Sequence, residues 1–207
     1  MNWDQFKDNI NYFLDNTPDT KVTYMSAFNL LSAPSFLGFL KYVLSVKRTY
    51  NSCGLQSWVK EDTVVDLNKF KTLSNPQTVR PSKKSFKRVY IDIPYVRSPE
   101  FLDARNLTKE IIEDYLVPCL DFMVSNCVHP GYNDNLAFEP GEIDKLKRIV
   151  LDLIIHVRHD DSYPVQQNRK RFYQFVKEYK SRRNYDFNEI FPELEEFLKV
   201  CKECANG

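Results

Sequence analysis

The sequence predicts an α/β protein, and three observations predict it. Residues 1–50 read helix–strand–helix, which is the grammar of a parallel sheet. Arg88 to Val96 alternates as a second strand. The last third of the chain is patterned as helices throughout.

Taken in order, Trp3, Phe6, Ile10 and Phe13/Leu14 recur at helical spacing, and Asn16-Thr17-Pro18-Asp19 stops that helix. Lys21 to Phe28 is a strand, with Val22 and Tyr24 alternating against Thr23, Met25 and Ala27. Ser32 reads as an N-cap with Pro34 in the first turn of a helix running to about Tyr50. Residues 51–86 are the least legible. Leu55 to Val59 reads as a strand, Val64 to Leu67 as the start of another element, and Ser74 to Ser85 as a polar surface loop. In the second clear strand Val89, Ile91, Ile93 and Tyr95 share a face, and Pro94 marks an edge or an end. Ser98-Pro99-Glu100 starts a short helical turn. Thr108 then caps a longer helix, kinked at Pro118. After the turn at His129-Pro130-Gly131, helices are expected from about Pro140 to Val157, Pro164 to Arg182 and Phe191 to Cys204.

The 207 residues allow one large domain or a domain with an appendage. Hydrophobic residues at 43% suffice for a packed core, and a net charge of +1 gives no global attraction to nucleic acid or anionic lipid. No apolar run is long enough to span a bilayer, and the acidic N-terminus lacks the apolar stretch of a signal peptide. Five irregularly spaced cysteines fit reduced thiols. A cytoplasmic protein without membrane contact is the expectation.

The chemistry-bearing motifs are few. His156 and His159 with Asp160 and Asp161 could share a metal, yet they read better as a solvated helix end. Cys201 and Cys204 form an isolated CxxC, better read as one core and one surface cysteine. Arg169, Lys170, Arg171, Lys177, Lys180, Arg182 and Arg183 interleave with Phe172, Tyr173, Phe175 and Tyr179, a pattern that could hold phosphates and stack bases. Those aromatics also fall at core spacing, and Glu189, Glu193, Glu195 and Glu196 can neutralise the face internally. With five glycines in the chain there is no phosphate-binding loop, and no nucleophile elbow or HExxH is present.

Three stretches carry a resemblance: Asn29 to Ser32 leading into Phe36 to Val43; Ile93 to Leu107, with its R-x-P-x-x-L spacing; and Asn168-Arg169 through Leu194. Together they resemble the C-terminal part of twitch-type radical S-adenosylmethionine (radical SAM) proteins, many of them from phages. The resemblance implies a partial (β/α) barrel fragment over 1–107 followed by an all-helical appendage over 108–207. It implies S-adenosylmethionine and a 4Fe-4S cluster at the C-terminal ends of the strands, where Ser26, Asn29 and Arg97 are the matching cofactor-binding positions. The CxxxCxxC motif that holds the cluster is absent. The chain alone is therefore expected to bind neither cofactor and to be inactive, with no catalytic and no metal-binding residue of its own. A separate cluster-bearing N-terminal radical SAM chain would complete it and cover its open strand edges. The alternative is a non-enzymatic binding module, for nucleic acid or a protein partner, using Arg169, Lys170, Arg171, Arg182 and Arg183, with the Arg80–Arg88 loop beside them.

Overall fold

The computed structural model describes residues 2–51, 87–127, 136–159 and 164–206, with the backbone alone for 157–159. The strand expected at 55–59, the element at 64–67, the loop at 74–85 and the turn at 129–131 lie outside these residues. The element order is α1 (Trp3–Asn16), β1 (Val22–Met25), α2 (Phe36–Tyr50), β2 (Val89–Asp92), α3 (109–125), α4 (Pro140–His159), α5 (Val165–Arg183) and α6 (Glu195–Asn206). Short helical turns at Leu30–Ser32, Glu100–Leu102, Ala104–Asn106, Phe187–Ile190 and Pro192–Leu194 connect them.

The two strands pair in parallel, with Val22 opposite Val89 and Tyr24 opposite Ile91. That register puts the four side chains on one face. Helices α1 and α2 cover it, and the Tyr24 ring meets Phe6, Phe39 and Tyr42 edge-on at 5.8–6.5 Å. Thr23 and Met25 point the other way and are exposed, Met25 at 71%.

These facts correct the expected fold class. The protein is mostly helical, with 71% of the described residues in helix and one two-stranded sheet, not a partial (β/α) barrel. A barrel strand carries helices on its outer face and packed side chains on its inner face. Here the second face of β1 opens to solvent. The free edge of β2 is closed as well. Arg88 and Val89 donate their N–H groups to Asn51 Oδ1, each at 2.9 Å, and Ile91 donates to Glu142 Oε1 at 2.9 Å. Side chains from the end of α2 and the start of α4 occupy positions where a further strand would bond. The edge of β2, closed in this way, thus supplies no physical reason for a missing second polypeptide.

Helix boundaries follow local chemistry. Asn2 caps α1, its side chain accepting from Asp4 N at 2.9 Å. The far end of α1 is closed from a distance. The buried Arg88 guanidinium donates to the carbonyls of Leu14 and Thr17 at 2.7 Å, and to that of Thr20 at 3.2 Å. Helix α2 begins at Phe36, not just after Ser32, because residues 29–32 close a turn of their own. Pro118 cannot donate to the carbonyl of Asp114, and the kink expected there is a π-helical turn, Ile112–Leu116, inside α3. Helix α5 ends on Asn184 in the left-handed region, φ 54°, which asparagine tolerates well.

One buried apolar cluster runs from Leu14, Phe28 and Leu40 through Val89 and Leu116 to Leu146, Phe172 and Phe197. The helical last third is therefore packed on the same core as the strands. Phe172 of α5 meets Phe197 of α6 at 5.5 Å. Burying each such ring contributes about 1.5–3 kcal/mol. No helix among the described residues is long and apolar enough to cross a membrane.

Candidate functional site

Parallel strands leave their ligand sites at their C-terminal ends, where the chain turns into the next helix. Beyond the end of β1, Ser26 is fixed to the sheet by its N–H bond to Asp92 O at 2.9 Å. Asn29 then folds back: its Oδ1 accepts from Leu31 N at 2.9 Å, and its N–H donates to Ser32 Oγ at 3.4 Å. The Asn29 side-chain nitrogen takes no part in that turn. The polar sequence Ser26, Asn29, Ser32, Ser35 thus rims the space between the sheet and the first turn of α2.

A pocket of about 620 Å³ occupies this space. Its polar lining is Ser26, Asn29, Ser32 and Ser35; its apolar lining is Trp3, Leu31, Phe36 and Phe39, with Gly38 on the helix wall. Trp3 is 45% exposed and held in place by the ring of Phe6 at 5.3 Å and that of Tyr42 at 5.1 Å. Behind Trp3 and Phe39, whose rings it meets through Tyr42 and directly, Tyr24 donates to the Tyr42 hydroxyl at 3.2 Å; burial first, then this bond, pushes the Tyr24 phenol above its ordinary range. A side chain begun at Gly38 meets nothing within 4 Å, so this wall is open space.

Among the described residues, the lining has no carboxylate, histidine, lysine, arginine or cysteine. Among the described lining residues, no base of the kind that activates a hydroxyl nucleophile stands beside its serines. The pocket offers hydrogen bonds on one side and aromatic surface on the other.

Of the residues the sequence picked out for a cofactor, Ser26 and Asn29 come together in this pocket, whereas Arg97 does not. Arg97 lies beyond β2 in a shallower polar depression of about 420 Å³. It reaches Asp152 of α4 at 3.3 Å and lies over the Tyr95 ring at 5.1 Å. In the same depression Lys145 bonds Asp92 at 2.6 Å and holds that carboxyl below its usual range. Sequence reasoning missed Trp3 and Gly38. The signal for Trp3 was an aromatic on the first turn of a helix, which the helical period assigned to the core.

The basic residues of α5 do not form one free face. Arg169 turns inward, donating to the carbonyls of Asn106 at 2.8 Å and Leu107 at 3.2 Å. Arg171 approaches Glu100 at 3.6 Å and Arg182 bonds Glu178 at 2.5 Å. Lys170 and Arg183 are exposed. The acids that bond these cations are Glu100 and Glu178, with Asp186 on Lys180; from the expected run, Glu189 adds a weaker attraction on Lys180. Lys199 engages Glu195 and Glu196 instead.

His156 is buried rather than solvated; the side chain of His159 and residues Asp160 and Asp161 lie outside the described structure. Cys201 is fully buried, and burial pushes its thiol up to about 12, while Cys204 is half-buried. Fold and site together define a mostly helical protein with a minimal parallel sheet and an uncharged pocket at its C-terminal edge. No family model matches the chain, and neither does any curated protein or any solved structure.

Proposed function

We propose that this protein is a binding module for a small uncharged ligand, held at the C-terminal end of β1 with Ser26 and Asn29 as its hydrogen-bonding contacts. The observation that supports this reading is the lining itself: hydroxyl and amide groups beside aromatic surface, with no titratable side chain among the described lining residues. Ring or sugar faces stack on Trp3 and Phe39, while donors and acceptors of the ligand meet the serine and asparagine rim. An ionic ligand would lose its hydration without meeting an opposite charge.

S-adenosylmethionine, the cofactor implied by the resemblance, fits this proposal less well than a neutral nucleoside. Its ammonium and sulfonium groups find no carboxylate among the described lining residues. We place the protein in the cytoplasm; the thiols of Cys119, Cys201 and Cys204, none in a disulfide, support a reducing compartment.

The test uses the full chain carrying Trp58→Phe, which leaves Trp3 as its one tryptophan. Methyl glucoside, adenosine, nicotinamide and S-adenosylmethionine are titrated while Trp3 fluorescence is followed. At least one of the three uncharged compounds should give a saturable change that Gly38→Leu abolishes. If none does, the reading is wrong. Tighter binding of S-adenosylmethionine than of adenosine favours the radical SAM reading instead.

A further inference from the structure

We infer that the natural ligand of this pocket is an amphiphile, with an uncharged hydroxylated head and an apolar chain, and that the chain runs over Leu31 into a second groove on the C-terminal helices. The inference rests on the reading of the first pocket given above and names the class of ligand it takes.

Leu31 is the physical link. It lines the 620 Å³ pocket and also lines a groove of about 310 Å³ formed by α5 and the turn after it. The groove has a different chemistry. Phe175, Val176, Tyr179, Phe187 and Ile190 supply its walls, and no charged side chain is among its described lining residues. Tyr179 and Ile190 are exposed at 44% and 50%, although each continues an apolar surface that could be covered. A ligand that ended in the first pocket would leave this adjoining surface in water. A flexible chain crossing the Leu31 wall covers it, while the head keeps its bonds to Ser26 and Asn29.

The lining groups set the chemistry at each end. The head is uncharged because no charged side chain stands among the described lining residues of the first pocket, and hydroxylated because four of them are serine or asparagine. The tail must be an unbranched or lightly substituted hydrocarbon, because the second groove offers little beyond apolar area to reward polar groups.

The experiment compares methyl glucoside with octyl glucoside, identical in the head and different only in the chain, at concentrations below micelle formation. Binding is followed by calorimetry on the full chain and on two surface variants, Gly38→Leu in the first pocket and Ile190→Glu in the groove. Octyl glucoside should bind at least about tenfold more tightly than methyl glucoside. Ile190→Glu should remove that advantage without touching methyl glucoside binding, and Gly38→Leu should weaken both. Equal affinities for the two glucosides, or no octyl glucoside binding, overturn the amphiphile. So does octyl glucoside binding that Ile190→Glu leaves intact. The uncharged-ligand reading survives those results as long as adenosine, nicotinamide or methyl glucoside still binds in a manner sensitive to Gly38→Leu. Octyl glucoside binding lost with Ile190→Glu but indifferent to Gly38→Leu overturns the joined site, since the groove would then act alone.

Discussion

Paired charges occur both where α4 starts and along α5, and the two regions use them differently. At the start of α4 the Lys47 ammonium bonds both oxygens of Glu142, at 2.8 and 2.9 Å, with the lysine only 2% exposed. The same carboxylate accepts from Ile91 N and Glu139 N, each at 2.9 Å, so it joins α2, β2 and the cap of α4. Lys87 pairs with the neighbouring Glu139, and burial, then the nearby Lys47, lowers the Lys87 amine from its ordinary value. Along α5 the Glu178–Arg182 pair stands in solvent, with side chains 60% and 74% exposed. The chemistry is the same and the surroundings differ. Removing one buried ion strands the other away from water, whereas an exposed ion is simply rehydrated.

That contrast predicts a gradient of effects. Lys47→Met should cost the most, about 3–5 kcal/mol, because Glu142 is left as a buried unpaired charge beside the sheet edge. Urea unfolding measures it, and a loss below about 1 kcal/mol would show that the seam is not a structural lock. Lys145→Met should have a smaller, pH-dependent effect. The Asp92 carboxyl is held low chiefly by its bond to Lys145. A carboxyl with a lowered folded-state pKa adds stability above its unfolded value near 3.9, and that contribution is lost as pH falls through the lowered folded value. The variant should therefore be less stable than the parent at pH 6 and equal to it near pH 2. A difference that persists unchanged at pH 2 assigns the effect to packing instead. Arg182→Ala should change stability by no more than a few tenths of a kcal/mol. A larger loss would mean that the α5 pairs are coupled to the core in the way the α4 pair is.

The sequence showed the helices well where one face alone was apolar. Leu40, Val43 and Leu44 of α2, and Leu146, Ile149, Val150 and Leu153 of α4, were read from spacing and are buried. Both strands were also legible, and so was the disturbance at Pro118. The barrel was not there, and the strand pattern held the clue. Strands buried on both faces read as continuous apolar runs, whereas β1 alternates Val22 and Tyr24 with Thr23 and Met25. That alternation belongs to a sheet with one covered face. The resemblance grouped Ser26, Asn29 and Arg97 as cofactor positions, whereas Ser26 and Asn29 line one pocket and Arg97 another. The sequence did not separate Arg97 from the other two, because local spacing does not say which strand end faces which helix.

Local sequence, then, determined the elements, their apolar faces and the turn chemistry of Asn29, since these depend on neighbours a few residues apart. Tertiary structure alone decided that Arg88 closes α1, that Glu142 seals β2 and that Leu31 stands between two pockets. Each of those depends on groups brought together from distant parts of the chain: Lys47 and Glu142 are 95 residues apart. A bond at that separation leaves no periodic trace in the sequence, because its strength comes from the burial that the whole fold creates.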